Sequence, residues 1–126
     1  MQQVDIQSIG FPDNHFDVII CSHVLGHVPD EAKALSELRR VIKAEGSVII
    51  MTKIYEDFQA TVEASGMYNA EHQEIFRKHG KDFPERLKEG GFDVSIIDVA
   101  KDVGNAAAAK YGLGEKELIY LCKRKA

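Results

Sequence analysis

Three short apolar runs constrain this chain more than anything else in it: FDVIIC (16–21), SVIIMT (47–52) and LIYLC (118–122). Each is strand-length and rich in β-branched or aromatic residues. Almost no polar residue interrupts them, which is how a strand covered on both faces reads. Between the first two, Pro29-Asp30 opens a helical stretch, with Asp30 as N-cap and Glu31 adding negative charge to the first turn. Ala32, Leu35, Leu38, Val41 and Ile42 recur at three-and-four spacing and form one apolar face. Gly46 is the expected stop.

Further along, residues 55–67 carry only weak helical patterning, and Glu71 to His79 reads as a short helix. Asp82-x-x-Glu85 resembles a capping box and introduces a helix over Phe83 to Glu89, with Pro84 tolerable in its first turn. Gly90-Gly91 ends that helix and leads to a strand over Phe92 to Val99, where Phe92, Val94 and Ile96 alternate with polar partners. The alanine-rich stretch Asn105 to Tyr111 predicts another helix. This alternation predicts an α/β sheet with helices packed on it. Four strands are few for such a sheet.

Composition narrows the function classes. The 126 residues suit a single domain, and 44% hydrophobic with 29% charged residues is the balance of a globular chain. The net charge is −4 and no basic stripe interleaves with aromatics, so nucleic acid is not an expected partner. The basic Lys123-Arg124-Lys125 reads as a solvated end. No apolar run approaches the ~18 residues of a membrane helix, and the polar start is unlike a signal peptide. Cys21 and Cys122 lie far apart, each inside an apolar run and outside any metal-ligand spacing, so two buried free thiols are expected. A cytoplasmic location and no metal site follow as expectations.

From Val4 to Thr52 the order of motifs resembles class I S-adenosylmethionine-dependent methyltransferases of the type 11 group. The resemblance rests on Asp5, Gly10-Phe11-Pro12-Asp13, Phe16-Asp17-Val18-Ile19-Ile20, Leu25-Gly26-His27-Val28-Pro29-Asp30 and Leu35-Ser36-Glu37-Leu38-Arg39-Arg40-Val41, closed by Gly46 and Ser47-Val48-Ile49-Ile50. Leu87-Lys88-Glu89-Gly90-Gly91-Phe92 is similar to the family's turn into its sixth strand. Gly26 stands where the family often has Glu, and Ala44-Glu45-Gly46 replaces its usual Pro-Gly-Gly. The resemblance implies a truncated Rossmann-like sheet, mainly parallel with a C-terminal antiparallel strand and helices on both faces. It also implies that residues 1–126 are one partial domain, the back half of a cofactor pocket. The family's first strands and their Gly-x-Gly loop have no counterpart ahead of Asp5.

By that resemblance S-adenosylmethionine is the cofactor, with Asp5 and Ile6 at its adenine and Cys21, Ser22 and His23 beside its methionine portion. His23 also fits an ordinary exposed loop histidine. His27 and His72 are the catalytic candidates. His27 fits a structural bridge in the loop ahead of the helix as well as a general base, because imidazole titrates near neutral pH. His72 and His79 flank Phe76 in a segment with which the family covers its substrate, and solvated helix histidines are the alternative there; Tyr55, just after the second strand, is a similar candidate. Methyl transfer depends mainly on aligning nucleophile, carbon and sulfur, so the lack of a nucleophile–base set does not count against it. The expected function is methyl transfer to a small-molecule acceptor, with little activity unless the missing half is supplied. A non-catalytic binding or assembly module is the second reading, and an unrelated α/β nucleotide or small-molecule binder the third. The bare first strand predicts a homodimer or a partner chain along that edge.

Overall fold

The computed structural model describes residues 5–68, 74–98 and 118–125. Its elements are β1 (Phe16–Ser22), a 3-10 turn (Leu25–His27), α1 (Glu31–Val41), β2 (Ile42–Met51), β3 (Val62–Tyr68), β4 (Glu74–Lys78), α2 (Phe83–Glu89), β5 (Phe92–Asp98) and β6 (Leu118–Arg124). The four strands expected from the sequence form one sheet in the order β1-β2-β6-β5. β1 and β2 are parallel, and β6 runs antiparallel to β2 and β5. Three strands therefore point one way and the last against them, as expected.

Register explains the core. Cys21 lies opposite Ile50, and Ile50 opposite Tyr120. One step along, Val48 lies opposite Cys122, and Cys122 opposite Val94. These inward positions share a core with Leu35 and Leu38 of α1 and with Phe83 and Leu87 of α2. Both helices therefore contribute to the same core. The helix expected over Asn105 to Tyr111 lies outside the described residues. Asp30 caps α1 as expected, its carboxylate accepting from the Lys33 N–H at 3.0 Å.

Several local expectations are corrected. β1 is not covered on both faces: Val18 and Ile20 are 55% and 67% exposed on the edge strand. α1 buries Ala34 while Ala32 is exposed, and it stops at Val41, so Ile42 already belongs to β2. Gly46 serves the strand rather than the helix. Between Phe16↔Ile42 and Val18↔Ser47 the pairing shifts by the extra residues of β2, and a Cβ on Gly46 would sit 2.7 Å from the Asp17 carbonyl oxygen. Residues 74–78, expected to be helical, form β4 and pair antiparallel with β3. β3 itself replaces the weak helical reading after Val62. Asp82 makes no cap bond to α2. Its carboxylate instead accepts from both the backbone N–H and the hydroxyl of Thr61, at 2.9 and 2.7 Å.

Candidate functional site

The parallel strands β1 and β2 end side by side, with Ser22 opposite Met51. Ligands of open α/β sheets bind at such carboxyl ends. Ser22 and His23 are exposed there. His23 adopts a left-handed backbone (φ 56°) that turns the chain off the strand, and its N–H donates to the Met51 carbonyl at 2.8 Å. Cys21 differs from its neighbours: its side chain is 4% exposed and faces the core, and burial pushes its thiol up to about 11. It can present only backbone to a ligand. Cys122 is likewise buried and free, its thiol pushed up to about 12 by burial.

Asp5 sits in an exposed turn. Its carbonyl accepts from the Ser8 N–H and its Oδ1 from the Gln7 N–H, both at 2.9 Å. The turn is tied down. Gln7 Oε1 accepts from the Asp30 N–H at 2.9 Å, and Glu37 Oε1 accepts from the Ile9 N–H at 3.0 Å. Arg40 reaches the Ile9 and Phe11 carbonyls and the Asp13 carboxylate. Ile6 is half-buried and lines, with Cys21, Ile9, Phe11 and Val24, an apolar groove of about 320 Å³ beside β1. The structure thus brings Ile6 to Cys21 and places Ser22 and His23 at the strand end.

His27 bridges backbone. Its Nδ1 donates to the Glu74 carbonyl at 2.8 Å, joining the turn after β1 to the first residue of β4. His72 lies outside the described residues. The Tyr55 N–H donates to the His79 carbonyl at 2.8 Å, and its ring lies 4.8 and 5.2 Å from the ammoniums of Lys53 and Lys78. His79 is neither helical nor solvated. It is 1% exposed, with Nε2 2.5 Å from Glu31 Oε2 and Nδ1 3.2 Å from the Thr52 hydroxyl.

That contact belongs to a buried charge network which sequence reading missed. Arg77 is 3% exposed and donates from Nη1 to the carbonyls of Leu25 and Val28, and from Nη2 to that of Pro29. Its Nε reaches Glu63 at 3.0 Å. Arg86 of α2 bridges Glu31 and Glu63 at 2.7 and 2.6 Å. One guanidinium thereby fastens the β3–β4 hairpin to the loop that follows β1. The only signal was alternation: Ile75, Arg77 and His79 all point inward. Once 74–78 is read as a helix, that signal is lost.

Among the described residues no group of three or more His, Cys, Asp or Glu could hold a metal, and no helix is long and apolar enough to cross a membrane. Burial raises the Glu31 carboxyl, but the hydrogen bonds and charges of His79 and Arg86 outweigh it and hold the group below the usual range. A lowered folded-state value gives stability that is present above the ordinary Glu value of about 4.3 and is lost as pH falls through the folded one. Glu37, hydrogen-bonded to Arg40, and Asp82, hydrogen-bonded to Thr61, are also lowered and act in the same sense. Thermal stability is therefore expected to fall as pH drops from 5 towards 3, with a shallower slope in Glu31→Gln. Melting temperatures across that range check this, and equal slopes would contradict it.

Comparison with known proteins agrees with this architecture. A methyltransferase-domain family model matches residues 1–50. The probable methyltransferase ltbC of Aspergillus luteorubrus is 38% identical over 56 residues, which are 42% of this chain and 20% of that protein. The ubiquinone/menaquinone biosynthesis C-methyltransferase UbiE of Psychromonas ingrahamii is 39% identical over 57 residues, 43% of this chain and 23% of that one. Among solved structures, the [4+2]-cyclase SpnF superposes with TM-score 0.64 at 19% identity, over 99% of this chain and 56% of its own. The 1,6-didemethyltoxoflavin-N1-methyltransferase of Burkholderia thailandensis, solved with S-adenosylhomocysteine, gives TM-score 0.64 at 17% identity, over 96% of this chain and 48% of its own. The fold is thus one shared with solved methyltransferases, and the sequence likeness to a methyltransferase domain lies in the N-terminal part of the chain. The matching segment spans only about a fifth of the curated relatives' length.

Proposed function

We propose that this chain contributes the β1–β2 side of a methyltransferase site that uses S-adenosylmethionine and a small-molecule acceptor. The observation that carries the reading is the strand-end geometry. The left-handed turn at His23 leaves Ser22 and His23 exposed at the carboxyl ends of two parallel strands, inside the segment that matches the family. Asp5, whose Oδ1 is taken by Gln7, would turn its other oxygen to the adenine amine, with the Ile6 backbone beside it. The cofactor supplies a methyl group on a sulfonium. The protein's part is to hold acceptor and methyl carbon in line and keep water out. The toxoflavin methyltransferase supports a small acceptor by analogy, because its structure contains one.

A second reading, a non-catalytic assembly module, is favoured by two observations. β1 is an edge strand with Val18 and Ile20 bare, and a fold neighbour is a [4+2]-cyclase, so this fold does not by itself dictate methyl transfer. The occupant of that edge would be a second copy of the chain. Calorimetric titration of S-adenosylmethionine and S-adenosylhomocysteine, on a sample sized by light scattering, tests both readings. Micromolar binding is the expected result. No heat up to millimolar ligand from a dimeric sample would favour the assembly module, and a monomer would remove the edge-pairing proposal.

A further inference from the structure

The end of the sheet opposite the strand carboxyl ends carries a cleft that methyl transfer leaves unused. It has a volume of about 640 Å³, within the range of small-molecule sites, and lies between the last turn of α1 and the end of β6. Arg124, expected in a solvated tail, is instead half-buried here. Its Nη1 donates to Asn14 Oδ1 at 2.8 Å and to the Arg39 and Ile42 carbonyls at 3.3 and 3.2 Å. Arg39 reaches the Gly91 and Lys125 carbonyls at a long 3.4 Å each, and Lys125 Nζ reaches the Lys88 carbonyl at 3.1 Å.

Charge separates a structural clamp from a binding site. Arg40, which also lines the cleft, is neutralised by Glu37 and Asp13 at 2.5 and 2.7 Å. Arg39, Arg124 and Lys125 have only neutral oxygens as partners among the described residues. Two carboxylates on one guanidinium leave the Arg40 group with one net negative charge. The C-terminal end of α1 adds roughly half a negative charge nearby, and together they still fall short of the three cations. The Nη1 of Arg39 and the Nη2 of Arg124 make no hydrogen bond among the described residues. Half-buried guanidiniums with unused N–H groups in a cleft of uncompensated positive charge suit an anion with several oxygens, and they present a fork that matches phosphate.

We infer that this cleft binds the phosphate or diphosphate group of a soluble small molecule, held by Arg39, Arg124 and Lys125. The site is independent of the methyltransferase reading, because it lies at the other end of the sheet. The test titrates inorganic phosphate and pyrophosphate into the full chain at constant ionic strength, with heat and melting temperature as readouts. Saturable binding is expected, tighter for pyrophosphate and weakened at least about tenfold by Arg39→Gln or Lys125→Gln. Lys33→Gln, on the opposite end of α1, should leave it unchanged. A response matched by chloride, or equal affinity in parent and cleft variants, would overturn the inference and leave these cations as a cap on α1. Lys125 is exposed, so its variant tests the site even if loss of Arg39 perturbs the fold.

Discussion

Replacing Arg77 with alanine is expected to destabilise the fold by about 3–5 kcal/mol, the range for breaking a buried ion pair from one side. The change removes the donors that satisfy the carbonyls of Leu25, Val28 and Pro29, and it leaves Glu31, itself 6% exposed, with one cation fewer at 4.0 Å. Arg77→Lys should recover only part of the loss, because one ammonium cannot reach three carbonyls and a carboxylate in the geometry of the guanidinium fork. Urea unfolding followed by circular dichroism measures the global effect. Amide exchange over 74–78 tells whether the hairpin detaches before the sheet melts. A loss under ~1 kcal/mol with unchanged exchange would mean that the hairpin is held by its backbone pairing and not by this clamp.

The same clamp marks the limit of what the sequence disclosed. The sheet strands and α2 were legible because each has its own apolar pattern in the sequence: near-continuous for β1 and the second half of β2, alternating at the start of β5, with a glycine pair after α2. Alternation weakens where neighbours end, and Ile96 is 53% exposed although it shares a parity with Phe92. The hairpin was not legible. Its strand Glu74-Ile75-Phe76-Arg77-Lys78 carries three charges, and its inward face is polar because a charge network rather than apolar burial holds it. No spacing in the chain links Glu31 to Arg77 or His79, because only folding brings them together. The candidate site divides in the same way. Exposure at Ser22 and His23 follows from their place at a strand end, whereas the inward turn of Cys21 is a matter of parity within β1. That parity depends on the register shift opposite Gly46, which nothing local announces.

The second large effect is expected at Phe83. Its side chain is fully buried, with the ring edge-on to Tyr120 at 4.9 Å and tilted against His79 at 4.5 Å. Phe83 therefore holds the first turn of α2 against both the sheet and the charge network. Phe83→Ala should cost about 3–5 kcal/mol, part transfer and part cavity, and Phe83→Leu clearly less. The denaturation midpoint should shift without a change in slope, since the same surface is exposed on unfolding. His79 is the shared neighbour: it packs on Phe83 and hydrogen-bonds Glu31, which Arg77 and Arg86 also face. The Arg77→Ala and Phe83→Ala effects should therefore fail to add, with a coupling of about 0.5–3 kcal/mol in the double variant. Strict additivity would mean that the aromatic contact and the ion pairs hold α2 and the hairpin separately. His79 would then be a filler between them rather than the joint through which core packing fixes the wall beside the strand ends.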